Sequence, residues 1–180
     1  GLPDDAQVRN VPCIGTSLGL DTLRSGRGDE VLYLANQVIP HLVDFRSGIK
    51  STGSLTYLHW QHRFLMSLPD ALRSVLHFRF KHGRQGRLWH QLLAPMGQRL
   101  SSRADEPLEV ALRRARICVV DCCTHVYVDA LLAGPTLLFW DPRIWETRSA
   151  IEPLVDGLRA CGILHHSPEA ASAMVTRVYD

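Results

Sequence analysis

Long apolar runs are missing from this 180-residue sequence; the longest, such as Pro135 to Trp140, span a few residues. A membrane-crossing helix needs roughly 20, so none is expected. No apolar stretch follows a basic start, so no secretory signal is visible. Cysteine is sparse and odd in number (Cys13, Cys118, Cys122, Cys123 and Cys161), with no CxxC pair. That count argues against a disulfide framework, and no metal-ligand spacing accompanies it. Small buried thiols in a reducing cytosol are the expectation. GxGxxG, Walker A and HExxH patterns are all lacking. Acid is lacking locally: residues 71–104 hold no Asp or Glu.

That acid-free block carries seven basic side chains, Arg73, Arg79, Lys81, Arg84, Arg87, Arg99 and Arg103, together with His77, His82 and His90. The flanks are mildly acidic, so a formal net charge of +2 hides a central basic region. Net charge alone implies no nucleic-acid or membrane partner, but a basic block attracts an anion. Eighteen of the 20 basic residues are Arg, whose planar fork suits phosphate or carboxylate. Genomic codon bias explains the Arg excess equally well.

Hydrophobic residues make up 46% and charged residues 21%, which fits one globular domain and excludes extensive disorder. Residues 1–30 are rich in Gly, Asp and Ser and read as a linker or partial N-terminal segment. The domain proper is expected over 31–180. Buried strands are expected at 31–35, 75–80, 116–121, 136–140 and 162–165. Helices are expected from Ser54 to Pro69, with one more turn over 71–75, and at 88–93, 108–115, 124–133 and 145–161. Pro153 begins a second segment within the last of these. Ser167-Pro168-Glu169 opens a final helix, with Ser167 as N-cap. Residues 36–53 read as a long loop. Continuous apolar strands alternating with helices predict an α/β, Rossmann-like parallel sheet with helices on both faces.

In such a sheet, ligands bind beyond the carboxyl ends of the strands. Three strand ends carry polar residues: Phe80 before Lys81-His82-Gly83-Arg84, Asp121 before Cys122-Cys123-Thr124-His125, and Trp140 before Asp141-Pro142-Arg143. Arg79, Lys81, His82, Arg84 and Arg87 can clamp a diphosphate, or form a solvated basic face. The turn from Cys123 through Thr124 and His125 opens a helix whose free N–H groups suit phosphate. Asp129 can accept from a ribose. As residue types alone, Thr124 and Asp129 fit an N-cap and a solvated acid better. Trp140 and Trp145 are costly to expose, and cover a nucleotide base or fill a gap between helices about equally well. A Cys123–His125 nucleophile pair carries little weight, because adjacent residues on a helix start diverge.

The run Pro135-Thr-Leu-Leu-Phe-Trp-Asp-Pro-Arg-Ile-Trp-Glu-Thr-Arg148 resembles the signature of a family of bacterial transferases encoded among surface-carbohydrate biosynthesis genes. Trp140, Pro142, Trp145, Glu146 and Arg148 match it. Thr124 matches an upstream segment in which Asp129 replaces a Glu and cysteines replace small or polar residues. His77 to His82 with Trp89, and Cys161 to Ala171, are similar to further family stretches. The resemblance covers roughly residues 55–175 and implies the C-terminal half of a GT-B-type glycosyltransferase fold. It implies donor and diphosphate contacts at Arg79, Lys81, His82, Arg84, Cys123, Thr124, His125 and Asp129. It implies a donor loop of Trp140, Asp141, Pro142, Trp145, Glu146 and Arg148. The implied partners are a nucleotide-activated sugar donor, a saccharide or lipid-linked acceptor, and an N-terminal Rossmann-like half holding the catalytic base. No catalytic residue carries over, and the isolated 180 residues are expected to turn over nothing. No cofactor, metal, nucleic acid or transmembrane span is expected. The expected place is the cytoplasm, or peripherally at the inner face of the membrane. Two alternatives stand beside this: a non-catalytic binding domain on a GT-B-like fold, motivated by Cys122, Cys123 and Asp129, and more weakly an RNA-binding module, since the basic block interleaves only Phe78, Phe80 and Trp89.

Overall fold

The computed structural model describes residues 28–36, 51–79, 101–102, 106–124 and 126–180. Among the described residues, six strands form one sheet: β1 (Glu30–Leu34), β2 (Leu76–Arg79), β3 (Ser101–Ser102), β4 (Ala115–Val120), β5 (Thr136–Phe139) and β6 (Leu164–His165). All five pairings are parallel, in the order β3-β2-β1-β4-β5-β6. The α-helices are α1 (Ser51–Ser67), α2 (Asp70–Ser74), α3 (Leu108–Arg114), α4 (Val126–Ala133), α5 (Glu152–Ala160) and α6 (Pro168–Tyr179). A α/β Rossmann-like fold is thus established.

Side-chain alternation along the strands divides the core in two. Val31, Tyr33, Phe78, Ile117, Val119, Leu137 and Phe139 face α1, α2 and α6, which contribute Phe64, Leu65, Leu72 and Val175. Leu32, Leu34, Cys118, Val120 and Leu138 face α3, α4 and α5, which contribute Leu112, Ala130 and Val155. Both faces of β1 and β4 are buried, which is why these strands read as unbroken apolar runs.

Several boundaries differ from expectation. Helix α1 begins at Ser51, three residues before Ser54. Residues 145–148 are not helical. A turn follows Asp141, a 3-10 turn spans Ser149–Ile151, and α5 begins only at Glu152 with Pro153 in its first turn. Proline lacks an N–H and cannot sit mid-helix, so the chain uses it to start one. Gly162 and Ile163 are not strand residues but form the stop just past α5. Gly162 has φ +70°, its N–H donates to the Arg159 carbonyl at 3.0 Å, and that of Ile163 donates to Leu158 at 2.9 Å. This paired arrangement is the Schellman helix stop, for which glycine has no steric penalty. β3 had no counterpart in the sequence reading. The helix expected over 88–93, and residues 1–27 of the expected linker, lie outside the described residues.

The start of α6 matches its sequence signal. Ser167 Oγ accepts the Ala170 N–H at 3.2 Å, and Pro168 takes the first turn. Ser167→Ala is expected to lower stability by about 1 kcal/mol. Urea unfolding checks this, and no change would mean that the cap is redundant.

Candidate functional site

The strand order reverses between β1 and β4, so a crevice opens beyond their carboxyl ends. Asn36 lies just past β1 and Asp121 immediately follows β4. Asp121 is 2% exposed, and its carboxylate gathers donors from three elements. The Tyr33 hydroxyl donates to Oδ2 at 2.7 Å. The Tyr57 hydroxyl lies 2.9 Å from both carboxylate oxygens. Gln61 Nε2 donates to Oδ2, and the Asn36 backbone N–H reaches Oδ1 at 3.3 Å. Tyr57 and Gln61 are four residues apart and so share one face of α1. Tyr33 is held from β1 by rings: Phe78 packs edge-on at 4.6 Å and Phe64 stacks at 5.4 Å.

Burial sets the electrostatics. It pushes the Asp121 carboxyl up to about 6, while the hydrogen bonds from Gln61, Tyr33, Tyr57 and Asn36 pull it back. Burial, and then the neighbouring Asp121 charge, hold both tyrosine hydroxyls well above their ordinary value, so they stay protonated donors. Both Asp121 oxygens are thus occupied by donors and shielded from solvent.

The opposite wall is the loop after β5. Asp141 is 3% exposed. Its carboxylate takes Arg143 Nη2 at 2.6 Å, Nε at 3.0 Å and the Arg143 backbone N–H at 2.9 Å. These bonds hold its carboxyl below the usual range. Its carbonyl accepts the N–H groups of Ile144 and Trp145, both at 3.0 Å. The turn so made directs Trp145 back toward α1. Between the two walls lies a pocket of about 210 Å³ including its mouth, lined by residues that include Tyr57, Trp60, Gln61, Asp121, Trp140 and Trp145. Its interior has room for about one water.

The expected site residues fall into four groups. Trp140, Asp141 and Trp145 line this pocket with Asp121, while Pro142, Glu146 and Arg148 are exposed on the same loop and stay out of the lining. Cys123 and Thr124 follow Asp121 in the β4–α4 turn, and Asp129 sits half-buried in the first turn of α4. The Thr124 hydroxyl lies 3.4 Å from Cys122 Sγ, and α4 begins at Val126 rather than at Thr124. Arg79 ends β2, two strands and so roughly 10 Å from β4, and donates to the Glu106 carbonyl. Lys81, His82, Arg84 and His125 lie outside the described residues. Burial pushes the Cys123 and Cys122 thiols upward and Cys118 to about 12, which opposes a thiolate nucleophile. Among the described residues, no group of three or more His, Cys, Asp or Glu side chains can hold a metal, and no helix is long and apolar enough to cross a membrane.

Tyr33, Tyr57 and Gln61 escaped the sequence reading. The available signals were a phenol inside an aliphatic strand and an amide between Trp60 and Phe64 on the apolar face of a helix.

A family model described as LIC12162 family transferase matches residues 5–180. No curated protein matches the chain.

Proposed function

The chain belongs to the LIC12162 family of transferases, and from that premise we propose that these residues form the donor-binding half of a GT-B-type glycosyltransferase. The donor is a nucleotide-activated sugar. The acceptor is a growing surface polysaccharide, met in the cytoplasm, and a second Rossmann-like half supplies the catalytic base. One observation carries the reading: the strand order reverses at a crevice walled by Asp121 on one side and the Trp140–Trp145 loop on the other. This is the position at which open α/β sheets take nucleotides.

The division of labour follows from the chemistry. Transfer breaks the bond between the sugar and the diphosphate, and charge grows on the departing oxygen. In this reading the N–H groups and hydroxyl of the Cys123–Thr124 turn receive the diphosphate, and Arg79 with Lys81, His82 and Arg84 balances its charge. Asp129 takes the ribose. The catalytic share of these residues is positioning and charge neutralisation.

The test is a titration of the chain with ADP, CDP, GDP and UDP, followed by thermal shift and tryptophan fluorescence. Saturable binding of one of the four is expected, weakened about tenfold by Thr124→Ala, the worth of one hydrogen bond to a charged group. Absence of binding by all four at millimolar concentration would overturn the reading.

A further inference from the structure

Two polar atoms at the switch-point pocket are buried without partners. Gln61 Oε1 belongs to a side chain that is 0% exposed. Its amide nitrogen is committed to Asp121, which leaves the oxygen as an unused acceptor. Trp145 Nε1 is an unused donor. Both side chains line the same pocket. A buried amide oxygen and indole N–H each cost stability when unpaired, and structures keep such groups where a ligand or an ordered water completes them.

We propose that this pocket is a subsite for a neutral hydroxyl group: the sugar hydroxyl of the activated donor, donating to Gln61 Oε1 and accepting from Trp145 Nε1. A hydroxyl is the smallest group that both donates and accepts, and the interior has room for only about one oxygen-sized group. A nucleobase is too large for it. Charge disfavours a phosphate: among the described residues the lining holds Asp121 and Asp141 and no Lys or Arg. Arg143, on the same loop, is 76% exposed and paired with Asp141. The walls are the rings of Tyr57, Trp60, Trp140 and Trp145, apolar surfaces with polar tips that suit the C–H faces of a saccharide.

This inference rests on the donor-binding reading, and the test separates the two. UDP, UDP-glucose, GDP and GDP-mannose are titrated against the wild-type chain and Trp145→Phe, a substitution that keeps an aromatic ring and removes only the N–H donor and the second ring. Gln61→Met, of similar volume, serves as the second variant, and thermal unfolding verifies that both fold. The expected result is that at least one nucleotide sugar binds about tenfold more tightly than its parent diphosphate, and that either variant removes the difference while leaving the diphosphate affinity intact. Equal affinities for diphosphate and nucleotide sugar, unmoved by Trp145→Phe, would overturn the hydroxyl subsite and leave the donor reading standing. A preference that persists in both variants would overturn it as well, since the sugar would then be read elsewhere. Loss of diphosphate binding in Trp145→Phe would assign the loop to the nucleotide instead. Failure of all four ligands to bind wild type, with ADP and CDP failing as well, would overturn both proposals.

Discussion

Asp121→Ala is expected to lose about 3–5 kcal/mol of stability in urea unfolding, a large share of what a domain of this size has. The loss exceeds that of one hydrogen bond because two tyrosine hydroxyls and the Gln61 amide would lose their common acceptor in a buried place. Asp121→Asn keeps the volume and one carbonyl oxygen, so it should cost less. It also removes a titration. The folded carboxyl sits at about 6, above its ordinary 3.8, so the native state binds the proton more tightly than the unfolded chain does. The contribution of Asp121 is therefore greatest below about pH 4 and is lost as pH rises through 6. Across that interval the stability of wild type relative to Asp121→Asn should fall by on the order of 3 kcal/mol. Asp141 and Glu169, held low by hydrogen bonds from Arg143 and Arg63, respond in the opposite sense. They are common to both proteins and cancel in the difference. A gap that widens as pH rises would mean that the carboxylate is ionised more readily when folded than when unfolded.

Phe139→Ala should be comparably costly, about 3–5 kcal/mol. Phe139 is 1% exposed at the end of β5. It stacks on Phe64 at 4.8 Å and lies parallel to Tyr33 at 6.2 Å, so its removal opens a cavity and frees the ring that presents a hydroxyl to Asp121. Phe139→Leu should cost only about 1–2 kcal/mol, since most of the volume stays. The distinguishing measurement is a double-mutant cycle with Tyr33→Phe. A coupling of about 1 kcal/mol is expected if the stack holds Tyr33 in place. Strict additivity would show that the aromatic cluster and the carboxylate cluster are independent.

The strands were readable because β1, β4 and β5 are buried on both faces and appear as unbroken apolar runs between turn residues. The end of α6 nearest Ser167 was readable because capping is a local code. Local codes also explain the failures. Residues 145–161 read as one helix, yet Trp145 belongs to a turn knotted by Asp141, whose carboxylate takes the N–H of Arg143 two residues on, an Asx turn that the Asp-Pro pair signals locally. Gly162 was read as part of a strand because the apolar pair after it outweighed its own meaning as a helix stop. At the crevice, Trp140 and Trp145 stood out as rings too costly to leave in water. Asp121 stood out only as a strand end. Its partners Tyr33, Tyr57 and Gln61 lie 88, 64 and 60 residues away in the chain, and no spacing rule spans such separations.

The last helix bears on how the molecule is made. α6 lays Ala171 and Val175 into the face shared by β4, β5 and α1. It is fastened there by Arg63, whose Nε and Nη2 each reach Glu169 at 2.7 Å, and by the Tyr179 hydroxyl, which donates to the Asp29 carbonyl 150 residues earlier. Arg116 covers the Tyr179 ring from β4 at 4.7 Å. On the other face, Leu164 is the last buried member among the described residues. During vectorial synthesis the two faces therefore mature at different times. One can close once Leu164 has emerged; the other stays incomplete until the residues of α6, further along the chain, have followed. That interval is when a nascent chain of this kind is most exposed to chaperones and to aggregation.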